Sequence, residues 1–206
     1  MTNIQKTLDN SSLDVLYNFA NLVGYVRVGI LIILLFAFFN YPIFSATLYV
    51  TSLLLDGVDG YLARKLNQQS NFGAILDMVT DRTSVALLLI VLDIIYPGLF
   101  VFFTFLLLLD LASHMAIIYS TAIVGKTHSH KDTLMRAHRF LRIYYDNPIV
   151  LGGLCLSHDI FLCLLYMYHF FPGFWLLALI CIFLIGCLFK TYIHLMQLYF
   201  SMKHVL

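Results

Sequence analysis

The chain contains few charged residues and no glutamate. Only 11% of its 206 residues are charged, whereas 61% are hydrophobic and the mean hydropathy is +0.89. A soluble globular domain has far more polar surface than this composition offers, so the sequence predicts an integral membrane protein. The net charge of +1 gives no sign of a basic surface, and we find neither a lysine-rich arm nor zinc-type cysteine and histidine spacing. These absences argue against a nucleic-acid-binding protein.

Cysteine is also scarce, and all four cysteines lie in apolar runs, at Cys155, Cys163, Cys181 and Cys187. We interpret them as small buried hydrophobic residues, not as a disulfide framework or a metal cluster. The N-terminal segment carries acidic residues early and has no cleavable signal made of basic, apolar and small-residue regions. We therefore expect the first spanning helix to stay attached.

Long apolar segments recur six times, each close to the 20 or so residues that cross a bilayer. They predict an all-α integral membrane fold with transmembrane helices near 24–40, 43–64, 73–95, 99–124, 149–170 and 174–199. Residues 11–22 place leucine and phenylalanine at helical spacing among polar residues, which predicts a short amphipathic helix at the membrane interface. We expect a single domain over residues 1–206, with a cytosolic or interfacial segment (1–22) and a six-helix membrane core (24–199).

Basic residues occur at alternate turns of the predicted bundle. The turns after the first, third and fifth helices contain proline and aromatic residues without charge, whereas Arg64 and Lys65 follow the second helix. Five more basic residues lie in the loop after the fourth helix, and Lys203 follows the sixth. By the positive-inside rule, both termini and the turn after Lys65 face the cytosol.

The strongest chemical pattern lies in residues 56–81, which read DxxDGxxAR, then eight residues, then GxxxDxxxD. On helices that turn about 100° per residue, the first group lies on one side of one helix and the second forms a stripe on the next. Four clustered carboxylates repel one another unless cations bind between them. Oxygen ligands alone favour Mg²⁺ or Mn²⁺, and two ions sharing aspartates are the natural count.

Several of these residues also have simpler interpretations. Each aspartate alone could form an ion pair with Arg64, Lys65 or Arg82, although eight positions in one register argue against that. Gly60 and Ala63 suit helix packing, and equally suit the approach of a nucleotide to the backbone. Arg64 could snorkel at the interface or hold a phosphate with its two parallel donors. Ser70 is well placed to cap the third helix, and a phosphate contact stays open for it.

Asp110 and His114 form a second polar pair, one turn apart on the predicted fourth helix. An ionisable pair inside a membrane helix is a functional hypothesis, while a structural hydrogen bond explains it as well. We interpret His158 and Asp159 as structural, because no partner matches them.

The signature residues resemble, position for position, those of the CDP-alcohol phosphotransferases, integral membrane enzymes of phospholipid synthesis. They are Asp56, Asp59, Gly60, Ala63, Arg64, Gly73, Asp77 and Asp81. Around them NLVGYVR (21–27), LNQQSNFGAILDMVTDR (66–82) and LDLASH (109–114) look like eukaryotic phosphatidylinositol synthases, as do SHK (129–131) and LRIYY (141–145). Ala20 departs from the pattern, since relatives usually carry proline there.

The resemblance implies transfer of a phosphatidyl group from CDP-diacylglycerol to myo-inositol, giving phosphatidylinositol and CMP. It implies that Asp56, Asp59, Asp77 and Asp81 hold two divalent ions, and that Asp81 is the base for the attacking hydroxyl. A carboxylate that touches a metal is a weaker base, so Asp81 could instead orient the hydroxyl. Contacts to the nucleotide lipid fall to Gly60, Ala63, Arg64, Ser70 and Gly73, with Asn21 as a weaker candidate. Candidates for the acceptor pocket are Asp110 and His114.

The resemblance further implies a homodimer among membrane lipids, in the endoplasmic reticulum, with the active site facing the cytosol. No cysteine, histidine or serine stands in the signature as a covalent nucleophile, so we expect direct displacement with inversion at phosphorus. Three alternatives stay open: a relative that uses glycerol phosphate, choline, ethanolamine or serine, a cation transporter, and an aspartate-rich membrane prenyltransferase. A transporter would place its carboxylates at mid-membrane within inverted repeats. A prenyltransferase would place them on well-separated helices.

Overall fold

A computed structural model describes residues 15–124, 144 and 146–205 of the chain. Within these residues the chain forms six α-helices, one short 3-10 helix (Pro97–Leu99) and no strand. The α-helices are α1 (Phe19–Ala37), α2 (Pro42–Lys65), α3 (Asn71–Ile95), α4 (Phe100–Val124), α5 (Pro148–Phe170) and α6 (Phe174–Val205). The prediction of an all-helical fold is confirmed over the described residues.

Helix bounds follow the predicted spans closely, except near the two ends of the chain. The helix α1 begins at Phe19 instead of residue 24, and α6 continues to Val205 instead of ending near 199. The separate interfacial helix predicted for 11–22 is therefore wrong over residues 19–22, which belong to α1. The reason is that Asn21 is buried, at 3% exposure, so the polar residues there do not mark an interface. Residues 1–14 lie outside the described part.

Among the described residues, four stretches are long and apolar enough to cross a membrane: Phe19–Ala37, Pro97–Ser120, Ile149–Phe170 and Phe174–Lys203. The other two long helices, α2 and α3, have 24 and 25 residues and carry the signature aspartates. Four spans of this length indicate an integral membrane protein. Many large apolar side chains on these helices are exposed, which is typical of surfaces that face lipid.

The chain divides into two compact units, residues 1–87 and 88–206. In the first unit α1 packs against α2, and its buried residues include Leu34, Phe38 and Tyr49. In the second unit α4 and α5 each pack against α6. The buried side chains of Phe103, Leu162, Tyr166 and Cys187 form part of the second core.

A tight turn at residues 66–70 joins α2 to α3. Asn67 adopts a left-handed conformation with φ of 53°, and it follows the C-cap residue Leu66. The N–H of Gln68 donates to the carbonyl of Ala63 at 2.9 Å, and the N–H of Asn67 donates to the carbonyl of Arg64 at 3.4 Å. This pair of bonds is the Schellman motif, with asparagine in the place that glycine usually takes. The motif reverses the chain at the end of α2.

We expect Asn67→Val to destabilise the protein by about 1–2 kcal/mol, because a β-branched residue is strained in the left-handed region. Asn67→Gly is the matched control and should match or slightly exceed the wild type in stability. Thermal unfolding of the purified protein in detergent, followed by circular dichroism, measures both. Equal midpoints for the valine and glycine variants would contradict the role assigned to this turn.

Candidate active site

Arg27 of α1 lies at the centre of a cluster of four carboxylates. Its Nη1 atom is 2.9 Å from Asp56 Oδ1, 2.9 Å from Asp59 Oδ2 and 2.8 Å from Asp77 Oδ1. Its Nη2 atom donates to Asp81 Oδ1. Arg27 is 1% exposed, so one buried guanidinium contacts all four signature aspartates.

Three helices of the first unit supply these side chains. Asp56 and Asp59 lie toward the C-terminal end of α2, and Asp77 and Asp81 lie one turn apart in the first half of α3. Because a short turn reverses the chain between α2 and α3, both pairs of aspartates lie toward the helix ends that this turn joins. Arg27 reaches them from the middle of α1.

Close approach between α1 and α3 depends on two glycines. A Cβ atom placed on Gly24 would lie 2.8 Å from Leu76 Cδ2, and one on Gly73 would lie 2.7 Å from Asn21 Oδ1. Real Cβ atoms do not approach neighbours this closely, so a larger residue at either position would require the side chain of Leu76 or Asn21 to move. The helices must stay close for a single arginine on α1 to reach Asp77 and Asp81 on α3.

Ser70, Asn21 and Gly73, which the resemblance placed near the nucleotide, have local structural contacts. Ser70 Oγ accepts a hydrogen bond from the backbone N–H of Gly73 at 3.0 Å, so Ser70 caps the N-terminus of α3. Asn21 Nδ2 donates to the carbonyl of Val15 at 2.6 Å. The first bond stabilises the start of α3 and the second stabilises the start of α1, and Gly73 lies beside the Asn21 side chain where the two helices meet. A contact of these residues with a nucleotide stays a prediction.

The carboxylate cluster is closed on one side and open on the other. The side chain of Asp59 is 9% exposed, whereas those of Asp56 and Asp77 are 40% and 47% exposed. Asp81 is intermediate at 31%, and its Oδ2 atom lies 4.0 Å from Arg82 Nη2. Solvent and ligands can therefore reach the cluster on the side of Asp56 and Asp77.

Arg64 lies on the same face of α2 as Gly60, one turn further on. A Cβ atom on Gly60 would be 3.6 Å from Arg64 Nη1 and 3.8 Å from Nη2, so the guanidinium extends along the surface of the glycine. Both Arg64 and Lys65 are exposed at the end of α2. Ala63 is half-buried beside them. This face offers a small surface flanked by a bidentate cation, which suits an approaching phosphate.

Arg27 is distant in sequence from the aspartates and was not predicted to pair with them. The alternative partners predicted for them, Arg64, Lys65 and Arg82, lie close to them in the sequence. Of these three only Arg82 has an ion pair with a signature aspartate in the described structure, and it is long at 4.0 Å. One signal was available: Arg27 is an ionisable residue inside an otherwise apolar helix, and such residues usually face a functional interior.

The cluster fits divalent cations. Four carboxylates and one guanidinium leave a formal charge of −3, and every ligand atom is an oxygen, as Mg²⁺ and Mn²⁺ prefer. Carboxylate oxygens of Asp56, Asp59 and Asp77 lie within 4.8 Å of one another. The guanidinium of Arg27 already lies where a cation would contact these oxygens.

Asp110 and His114, the candidates for an acceptor pocket, lie on α4 in the second unit. Asp110 is 3% exposed, and Nδ1 of His114 donates to its backbone carbonyl at 2.8 Å. His194 of α6 also faces Asp110, with its Nδ1 atom 3.5 Å from Asp110 Oδ1. The structure thus groups the two predicted residues with a third that the sequence did not indicate.

The chain is similar in sequence to several known enzymes. The chain is 38% identical over 177 residues to the CDP-diacylglycerol–inositol 3-phosphatidyltransferase of Candida albicans, which covers 85% of this chain and 76% of the relative. It is 42% identical over 153 residues to the human enzyme of the same name, and 43% identical over 156 residues to that of Saccharomyces cerevisiae. These two alignments cover 74% and 76% of this chain, and 71% and 70% of the relatives.

No solved structure matches the chain. The sequence profile of the CDP-alcohol phosphatidyltransferases matches residues 17–145, a range that includes Arg27 and all four aspartates around it. The chain therefore belongs to the CDP-alcohol phosphatidyltransferase family.

Proposed function

We propose that this protein transfers the phosphatidyl group of CDP-diacylglycerol to myo-inositol, giving phosphatidylinositol and CMP. The observation that carries the proposal is the gathering of the four signature aspartates around one cation, at a site open to substrate past Asp56 and Asp77. Relatives named for this reaction are 38–43% identical over about three quarters or more of the chain, which supports inositol as the acceptor.

The four aspartates are the proposed ligands of two divalent ions, Mg²⁺ or Mn²⁺. Bound ions supply charge neutralisation for the diphosphate of the substrate and for the CMP that leaves. Asp59 is held firmly by burial and by Arg27, whereas the more exposed Asp56 and Asp77 face the side on which substrate arrives. The protein thereby fixes one ligand and leaves two accessible.

Arg64 and Gly60 are the proposed contacts for the nucleotide lipid. The exposed guanidinium can donate two parallel hydrogen bonds to phosphate oxygens, and the bare glycine surface beside it lets the substrate approach the backbone. Ala63 shapes the same face, and Asn21, Ser70 and Gly73 position the start of α3 at its edge. In this proposal these three residues act through the helix that they fix.

Asp81 is proposed to act on the acceptor hydroxyl. Oδ1 accepts from Arg27, and Oδ2, which lies 4.0 Å from Arg82 Nη2, is the oxygen proposed to receive the hydroxyl proton. The hydroxyl oxygen then bonds to the phosphorus that carries diacylglycerol, the bond from that phosphorus to the oxygen of CMP breaks, and CMP takes the electron pair. With no cysteine, histidine or serine in the signature to attack first, the proposed reaction is a single displacement with inversion.

The proposed arrangement in the membrane has six spans in one domain, with the aspartate cluster at the cytosolic edge. The helices α2 and α3 are long enough to cross the bilayer, and their aspartates lie near the ends joined by the basic turn. We place the protein in the endoplasmic reticulum as a homodimer, among the lipids that it makes and uses. A diacylglycerol substrate suits this position, because its acyl chains stay in the bilayer.

Another acceptor alcohol is the main alternative, because the signature residues bind metal and nucleotide, not the alcohol. To test the proposal, purified protein with Mn²⁺ or Mg²⁺ and labelled CDP-diacylglycerol is offered inositol, glycerol phosphate, serine, choline or ethanolamine. We expect CMP release and lipid product that depend on inositol. Product with a different alcohol and none with inositol would overturn the assignment.

We expect Asp56→Asn and Asp77→Asn each to lower kcat by about 100-fold or more, the scale on which removal of one electrostatic stabiliser acts. The lost charge weakens metal binding, so activity should recover only partly at high Mn²⁺. Asp93→Asn is the control on the same helix as Asp77, because Asp93 instead accepts a hydrogen bond from Thr104. Near-normal turnover of the Asp56 or Asp77 variant at low metal would exclude the proposed ligand set.

Arg27→Met should destabilise the metal-free protein by about 3–5 kcal/mol, because four carboxylates lose their buried partner. Mn²⁺ should then raise the unfolding temperature of Arg27→Met more than that of the wild type, since the ion replaces the missing charge. Thermal unfolding with and without Mn²⁺ measures this, and Arg64→Met serves as the exposed arginine control. An equal Mn²⁺ shift in wild type and Arg27→Met would show that metal and guanidinium do not share these carboxylates.

A further inference from the structure

A second group of metal-binding side chains lies in the second unit, apart from the signature. It consists of Asp110 and His114 on α4 and His194 on α6. Each offers one ligand atom, and these atoms lie within 4.8 Å of one another. We propose that these three side chains bind zinc or another first-row transition metal that prefers imidazole, and that the ion joins α4 to α6.

The distance between Asp110 and His194 fits two metal ligands better than a direct ion pair. Asp110 Oδ1 lies 3.5 Å from the Nδ1 atom of His194. A charge-assisted hydrogen bond between these groups would be shorter, about 2.7–2.9 Å. Two ligands on a tetrahedral zinc ion, with bonds of about 2.0–2.1 Å, stand roughly 3.3 Å apart. The distance between Asp110 Oδ1 and His194 Nδ1 is therefore close to that between two ligands of one zinc ion.

The surroundings of His114 also match those of a metal ligand. Its Nδ1–H donates to the Asp110 backbone carbonyl at 2.8 Å, which fixes the ring and leaves Nε2 as the nitrogen with a lone pair. Metal-binding histidines typically make such an outer hydrogen bond. Asp110 and His114 are also four residues apart, the spacing at which two helical ligands reach one ion. The ring of His194 lies edge-on to that of His114, with centroids 5.3 Å apart.

Burial and donor chemistry favour a transition metal here. Asp110 and His194 are each 3% exposed, within segments apolar enough to span a membrane. Buried ionisable groups in such segments usually serve a function. Two imidazoles and one carboxylate select zinc, or a similar ion, over the Mg²⁺ or Mn²⁺ that suits an oxygen-only cluster. The two groups of ligands in this chain therefore differ in the metal that they prefer.

A metal site at these residues differs from the acceptor pocket predicted for Asp110 and His114. A neutral polyol is held by donors and acceptors spread around its ring, whereas these three ligand atoms converge on one point. The proposal is independent of the reaction assigned above, because no residue of the signature takes part in it.

The test measures zinc in protein purified in detergent without chelator, by elemental mass spectrometry. Both wild type and the Asp56→Asn/Asp77→Asn double variant should retain about one zinc per chain, since the signature cluster is not involved. His194→Gln and Asp110→Asn should lose it. His158→Gln is the control, because His158 is also buried beside a carboxylate, that of Asp159, yet belongs to no three-ligand group among the described residues.

Cobalt provides a second readout after the zinc is removed. Co²⁺ at a four- or five-coordinate site with two imidazoles absorbs visible light strongly, and the band should disappear in His194→Gln while remaining in His158→Gln. His114→Gln serves if His194→Gln fails to fold, since the His114 side chain is 23% exposed and tolerates a polar substitute. Absence of retained zinc, or unchanged zinc and cobalt spectra in these variants, would overturn the site. A raised KM for inositol in His194→Gln with unchanged metal would overturn it in favour of an acceptor pocket.

Discussion

The buried guanidinium of Arg27 is the interaction on which the first unit depends. Carboxylates held within a few ångströms repel one another, and each charge inside a membrane helix costs about 2.5–3.5 kcal/mol to insert. A single guanidinium that contacts all four aspartates reduces both costs, because every negative charge then has a positive neighbour. Gly24 and Gly73 leave room for the side chains of Leu76 and Asn21 where α1 and α3 meet. This close approach lets one arginine side chain span the cluster.

Arg27 also holds the carboxylates together at the position where cations would contact them. It gathers the carboxylates before any metal arrives, so the groups that must converge are already close, which is the general benefit of preorganisation. It compensates only one of four negative charges, so a strong attraction for divalent ions remains. The partial exposure of Asp56 and Asp77 leaves an approach for ions and for the phosphates that accompany them.

The spacing of the aspartates could be read from the sequence because helical register is a local property, and the helix bounds followed from apolar length in the same way. Arg27 could not be found by proximity, since it is 29 to 54 residues away from its partners. Residues 19–22 were misjudged because the buried amide of Asn21 resembles an interfacial residue in composition. His194 likewise joins Asp110 only through the packing of α6 on α4, which no local pattern records.

Selectivity for the alcohol has to arise outside the signature, because the roles proposed for its eight residues concern the metal ions and the nucleotide lipid. Discrimination between hydroxyl compounds requires polar groups that go unpaired when a hydroxyl is missing. Lys190 is the most conspicuous buried cation of the second unit, but it donates to Tyr144 Oη at 2.6 Å and to Cys155 Sγ at 3.0 Å. These bonds join α6 to α5 and to residue 144, so Lys190 acts in packing.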